Sequence, residues 1–297
     1  MATYNVHVIA LVVALVLSSP LLLSSPRALA QPADAYLTEV VTVPSGDLKL
    51  RAVLGRPRGD GPFPAYIQNH GSMTVEEAGR NPWSRITRDS LSDTLARNGY
   101  VVLVLARRGY KGSEGVAMTY SQNQTSGGRS GRRAADVMRG AEEEAGDVVA
   151  ALDYLSTLPY VDKDRVGVGG VSLGGLVSIM AAARDPRFKA LITMAGGYRQ
   201  LGPGSVDEAW APLQAVWESA ARRLHIPVLI LWAKNDMVLD RDVGRELEKD
   251  LRLAGKRVEM TVYPEFEQNG HFLFSRPEGY PLFVPDAMRF LDRNLKR

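Results

Sequence analysis

From Leu37 onward, short apolar runs of β type alternate with longer stretches of helical period, and no other feature restricts the fold as much. Ala65–Gln68, Tyr100–Leu105, Arg165–Val171, Ala190–Met194, Pro227–Trp232 and Val258–Tyr263 read as strands. Most are continuously apolar, as strands covered on both faces must be; the last alternates, as an edge strand can. Between them, residues 84–98, 142–158, 173–184, 242–254 and 285–295 read as helices. The first stops at Gly99, and the second opens on Glu142, Glu143 and Glu144, which suit the positive end of a helix. Leu37–Val43 and Leu48–Leu54 flank Pro44-Ser45-Gly46-Asp47, a hairpin signal. The pattern predicts an α/β fold, with a mostly parallel sheet, an antiparallel N-terminal hairpin and helices on both faces. In such sheets the chemistry sits beyond the carboxyl ends of the strands.

With 45% hydrophobic residues in 297, the chain can bury a full core. It has no Cys, which excludes a thiol nucleophile, Cys-ligated zinc and iron–sulfur clusters. Val8–Leu17 is an unbroken apolar run, and Ala28-Leu29-Ala30 follows; small residues at 28 and 30 predict a signal peptide over 1–30 cleaved after Ala30. No Lys or Arg stands in residues 1–7, so the α-amino group supplies the positive end. The remainder, 31–297, is expected to be one exported domain, periplasmic or secreted, without stable membrane association. The first thirty residues hold one Arg and no acid, leaving 35 basic against 33 acidic residues, a net charge of +2. That balance argues against a nucleic-acid partner despite a pI of 9.1.

Gly170, Ser172 and Gly174 form GxSxG between a strand and a helix. The turn must be so sharp that Ser172 adopts a strained backbone, and its neighbours must lack side chains for strand and helix to approach. A serine hydroxyl needs a base, itself oriented by a third group. Of the four His, His7 leaves with the signal, His225 stands at the wrong end of a strand, and His70 before Gly71 suits loop shaping. His271, in a polar loop after the last strand, remains as the base. The acid should lie between Ser172 and His271; Asp236, after the strand Pro227–Trp232, is favoured over Asp240 and Asp242, which read as the start of the next helix. The developing oxyanion needs backbone donors. The amide of Leu173 is one, and the other should come from Asn69-His70-Gly71-Ser72-Met73, with Ser72 first and Met73 behind it and near substrate.

These residues, in this order, resemble the α/β-hydrolase superfamily, in its dienelactone hydrolase-like and prolyl-oligopeptidase-like branch. The resemblance is carried by His70-Gly71-Ser72, by the run Val104 to Gly115 containing Arg107-Arg108-Gly109, by Val161-Asp162 to Arg165 ahead of Gly169–Gly175, by Lys234-Asn235-Asp236-Met237-Val238 and by Gly270-His271. It implies an eight-stranded sheet and a Ser172, Asp236, His271 triad. Two departures stand out. Dienelactone hydrolases proper use a Cys nucleophile, and prolyl oligopeptidases carry a propeller domain for which this chain has no room.

Residues 116–140, with Gly127-Gly128-Arg129-Ser130-Gly131-Arg132-Arg133, read as a flexible insertion. In 198–223, Trp210, Leu213, Trp217 and Ala221 recur at helical spacing, so a helix there is expected either to cap the site, with Trp210 and Trp217 touching substrate, or to pack as core. The whole predicts a serine hydrolase without metal or cofactor, acting on a small-molecule ester. A peptidase of short peptides and a catalytically silent binding protein are the alternatives.

Overall fold

The apolar runs form the strands expected of them. β1 (Tyr36–Ser45) and β2 (Leu48–Pro57) make the hairpin, turning at Gly46, whose φ of +58° suits a residue without a side chain. β3 (Phe63–Asn69), β4 (Val101–Leu105), β5 (Val161–Val171), β6 (Phe188–Met194), β7 (Val228–Ala233) and β8 (Val258–Tyr263) follow. They assemble into one eight-stranded sheet of order β1-β2-β4-β3-β5-β6-β7-β8. β1–β2 and β2–β4 pair antiparallel, and every other pair is parallel. The computed structural model describes residues 35–72, 86–117, 134–198 and 206–296, with backbone alone at 134–138 and 206–212. Every element named here falls in one compact unit, Asp34–Arg297. The expected signal segment 1–30 lies outside the described residues, as do 118–133 and 199–205.

The helices are α1 (Leu91–Arg97), α2 (Ala134–Ser156), α3 (Leu173–Arg184), α4 (Val206–Arg223), α5 (Arg241–Leu253) and α6 (Tyr280–Leu295). α1 and α6 pack together on one face of the sheet; α2, α3, α4 and α5 pack in sequence on the other. The central strands are covered on both sides, which accounts for their continuous apolarity. β5, for example, is buried from Val166 to Val171. At the edge, β8 is buried only at its ends and more open between.

Three helix starts differ from the sequence pattern. α1 begins at Leu91 because the Ser90 side chain accepts the Asp93 N–H and Asp89 before it takes φ +61°. α2 begins at Ala134, inside the expected 116–140 insertion, so Glu142–Glu144 are interior. Glu144 is claimed instead by Arg107, 2.8 Å away with both side chains fully buried. α6 begins at Tyr280 with Pro281 in its first turn, and Pro285 lies within the helix. Pro285 is tolerated because it sits on the exposed side, where the carbonyl it leaves without an N–H partner can meet water.

α4 is the helix anticipated over 198–223. Leu213, Trp217 and Ala221 all belong to the core cluster, and Trp217 is fully buried there. Trp217 therefore packs the core and presents no surface to a substrate, contrary to the expected role. The Trp210 side chain is outside the described residues.

Candidate active site

A single residue, Ser172, separates β5 from α3, and its φ of +55° with ψ −123° is a conformation that L-residues rarely adopt. Four backbone hydrogen bonds hold it. Its N–H donates to the Met194 carbonyl at 2.9 Å, and its carbonyl accepts from Gly175 at 2.9 Å, Gly197 at 3.1 Å and Leu176 at 3.2 Å. The flanking glycines follow from crowding. A Cβ on Gly170 would lie 2.6 Å from the Asn69 carbonyl oxygen, and one on Gly174 would run into the His70 carbonyl. The end of β3 thus crosses directly over the turn, and GxSxG is the composition this crossing permits.

Asp236 is the third residue after β7. Its Oδ1 accepts the N–H groups of Val238 at 2.9 Å and Leu239 at 2.8 Å, while Oδ2 lies 2.8 Å from His271 Nδ1. An ionised carboxylate only accepts, so the imidazole proton belongs on Nδ1 and the lone pair is left on Nε2. Asp236 is 6% exposed and His271 9%, so the pair is shielded from competing water. The rivals have other work. Asp240 caps α5 by accepting the Asp242 N–H, and Asp242 stands exposed in the first turn.

Two asparagines that the sequence reading passed over set this pair in place. Asn269 Oδ1 accepts both His271 N–H and Met237 N–H at 3.0 Å, tying the His loop to the Asp loop. Asn235 Oδ1 accepts Phe266 N–H at 2.9 Å and its Nδ2 donates to the carbonyls of Glu267 and Phe266. The signal for Asn269 was available: an Asn two residues before a loop His can close an Asx turn on it. Asn235 carries no comparable local mark.

The loop after β3 is anchored from below. Arg107, fully buried on the segment after β4, donates through Nη1 to the His70 carbonyl at 2.8 Å, and its own N–H donates to His70 Nε2 at 3.3 Å. His70 Nδ1 lies 2.8 Å from the Gly71 carbonyl, so the ring is neutral with its proton there. It also meets Tyr110 edge-on at 4.4 Å. Burial, and then the Arg107 charge, hold this imidazole well below its ordinary value of 6.5. His70 is therefore the loop-shaping residue its sequence setting suggested. The neutral ring favours the fold fully above the unfolded value of ~6.5, and that contribution is lost as pH falls from there toward the lower folded value. We expect stability to fall by up to about tenfold in the folding constant per pH unit below ~6.5, and His70→Gln to flatten that slope. Urea midpoints of both proteins at pH 5 and pH 7 check this; equal losses would contradict it.

A Cβ on Gly71 would lie 3.3 Å from Ser172 Cβ, so this loop abuts the turn serine, and Ser72 follows it, exposed. Leu173 opens α3, and its N–H is one of the first four that no intrahelical carbonyl can reach. Of the expected oxyanion donors, the Leu173 N–H adjoins Ser172, and Ser72 follows the glycine that abuts it; Met73 is outside the described residues. Among the described residues no hydrogen bond joins Ser172 Oγ to His271, a contact that in unliganded enzymes often tightens only around substrate. None of the described His, Asp and Glu form a group of three suited to a metal ion.

Residues 75–282 match the model of the Dienelactone hydrolase family, which is well over half of the chain. The chain belongs to that family. It has the α/β-hydrolase fold. Dipeptidyl-peptidase 5 of Porphyromonas gingivalis is 27% identical over 224 residues, which cover 68% of this chain but only 30% of the peptidase. This member of the family therefore spans less than a third of that relative's length. Among solved structures, the acylaminoacyl peptidase of Pyrococcus horikoshii matches with a TM-score of 0.67 at 18% identity, over 89% of this chain and 42% of that one. Acetyl Xylan Esterase 1 from Thermoanaerobacterium sp. matches with a TM-score of 0.61 at 19% identity, over 88% of this chain and 84% of that one. These two likenesses concern the fold.

Proposed function

We propose that this family member is an exported serine hydrolase that cleaves a carboxylic ester of a small or medium acyl group. The observation that carries the reading is the buried Asp236–His271 pair, which leaves Nε2 basic at the same rim of the sheet as the strained Ser172. Ser172 Oγ attacks the ester carbonyl while His271 Nε2 takes its proton. The negative oxygen of the tetrahedral intermediate accepts from the Leu173 and Ser72 amides. Collapse expels the alcohol, which takes the proton back from Nε2. Water then attacks the acyl-serine, again giving its proton to His271, and the acid leaves as Ser172 is reprotonated. Where dienelactone hydrolases proper use Cys, an alcohol does the work here, so the base matters more than it would for a thiol. The composition of residues 1–30 supports export.

A peptidase is the second reading, favoured by the likeness to Dipeptidyl-peptidase 5. A panel of nitrophenyl esters of rising acyl length, run beside aminoacyl nitroanilides, separates the two. We expect kcat/KM for the best ester to exceed that for the best nitroanilide by at least about tenfold, ~1.4 kcal/mol of barrier. The reverse order would establish the peptidase.

A further inference from the structure

A crevice of about 460 Å³, its open mouth included, lies at the carboxyl rim of the sheet, between the N-terminal ends of α1 and α6. Gln68 of β3, Val104 of β4 and Met194 of β6 form one wall, and Phe274 and Phe283 face them. Strand alternation places Gln68 on this face: its neighbour Asn69 donates to Ser178 of α3 at 2.9 Å, on the opposite face. The crevice adjoins the candidate active site. The Met194 carbonyl accepts the Ser172 N–H, and Phe274 lies one turn beyond His271 in the same 3₁₀ helix, Gly270–Phe274.

Gln68 is the anomaly in this wall. It is 4% exposed; Nε2 donates to the Asn69 carbonyl at 3.3 Å, and Oε1 is buried without a hydrogen-bond partner among the described residues. The Asn69 carbonyl fixes the amide's orientation, because a flipped amide would set two acceptors against each other. A buried acceptor left unmet lowers stability, and an apolar side chain of the same length would fit the wall at no such cost. The described residues around the crevice include no Asp, Glu, Lys or Arg. The described walls offer no counter-charge to an ammonium group or a carboxylate, and they suit a neutral donor. The crevice also carries the hydroxyls of Thr87, Ser90 and Ser92. An alcohol group suits this surface, since it can donate to Gln68 and accept from a hydroxyl.

We propose that this crevice is a substrate subsite for a hydroxyl-bearing part of the ester, with Gln68 Oε1 accepting the substrate hydroxyl and setting specificity. The inference rests on Ser172 as nucleophile and names the substrate class as hydroxylated esters. Nitrophenyl 6-hydroxyhexanoate and nitrophenyl heptanoate differ by a hydroxyl in place of a methyl group. The parent protein should prefer the hydroxylated ester by about tenfold in kcat/KM. Gln68→Leu should cut that preference by about fivefold or more and keep or raise the melting temperature. Gln68→Met is the substitute if the Leu variant does not fold. A smaller cut, or no preference in the parent, overturns the proposal. A second arm measures calorimetric binding of 6-hydroxyhexanamide and heptanamide to Ser172→Ala and to its Gln68→Leu double variant. That arm needs no turnover, so the subsite is judged even if the nucleophile assignment fails: the Kd ratio must fall by about fivefold or more in the double variant, and an unchanged ratio overturns it.

Discussion

Ser172→Ala is expected to lower ester turnover by about 10⁶ with the fold intact, the scale of loss when a triad nucleophile is removed. The methyl group fits the same turn, and the four hydrogen bonds that hold residue 172 all use its backbone. The φ of +55° is no harder for Ala than for Ser, so the melting temperature should move little. The residual rate over water would come from the Leu173 and Ser72 amides and from binding. Activity within a few fold of the parent would remove Ser172 from the mechanism.

Asp236→Asn should cost about 10⁴ in turnover, through the tautomer rather than through packing. An amide keeps the shape and one acceptor oxygen, which can still take the N–H groups of Val238 and Leu239 now bound by Oδ1. The other atom becomes an NH₂ facing His271 Nδ1 and donates to it. The imidazole proton is then driven to Nε2, where no base remains for the Ser172 proton. The prediction is a large kinetic loss with a small change in stability. Asp236→Ala should behave differently, losing about 1–3 kcal/mol of stability as well, because buried N–H groups lose their acceptor. An Asn variant within tenfold of the parent would show that the acid does not orient the base.

Much of the fold was legible because its physics is local. A strand buried on both faces has to be apolar throughout, so β4, β5, β6 and β7 announced themselves, and α3 was bounded by Ser172 and Asp185 as its pattern implied. Helix starts were harder to read, because they are decided by partners far along the chain. Glu144 looks like a helix-opening acid until Arg107 is brought beside it. Trp217 looks like a wall residue until α3 and α5 close around α4. At the site, Asp236 and His271 could be named from their order after β7 and β8, and the two side chains stand 2.8 Å apart. Asn235 could not, since its three partners belong to a loop about thirty residues away. The same limit hid Gln68, whose unmet Oε1 is a property of the packed sheet and not of any motif.

If the hydroxyl of Ser172 is a working nucleophile, fluorophosphonate labelling followed by peptide mapping should find it there. One modified residue is expected, Ser172, with labelling abolished in Ser172→Ala and strongly slowed in Asp236→Asn. An unlabelled parent protein that is folded and active on esters, or a label carried by another residue, would contradict it.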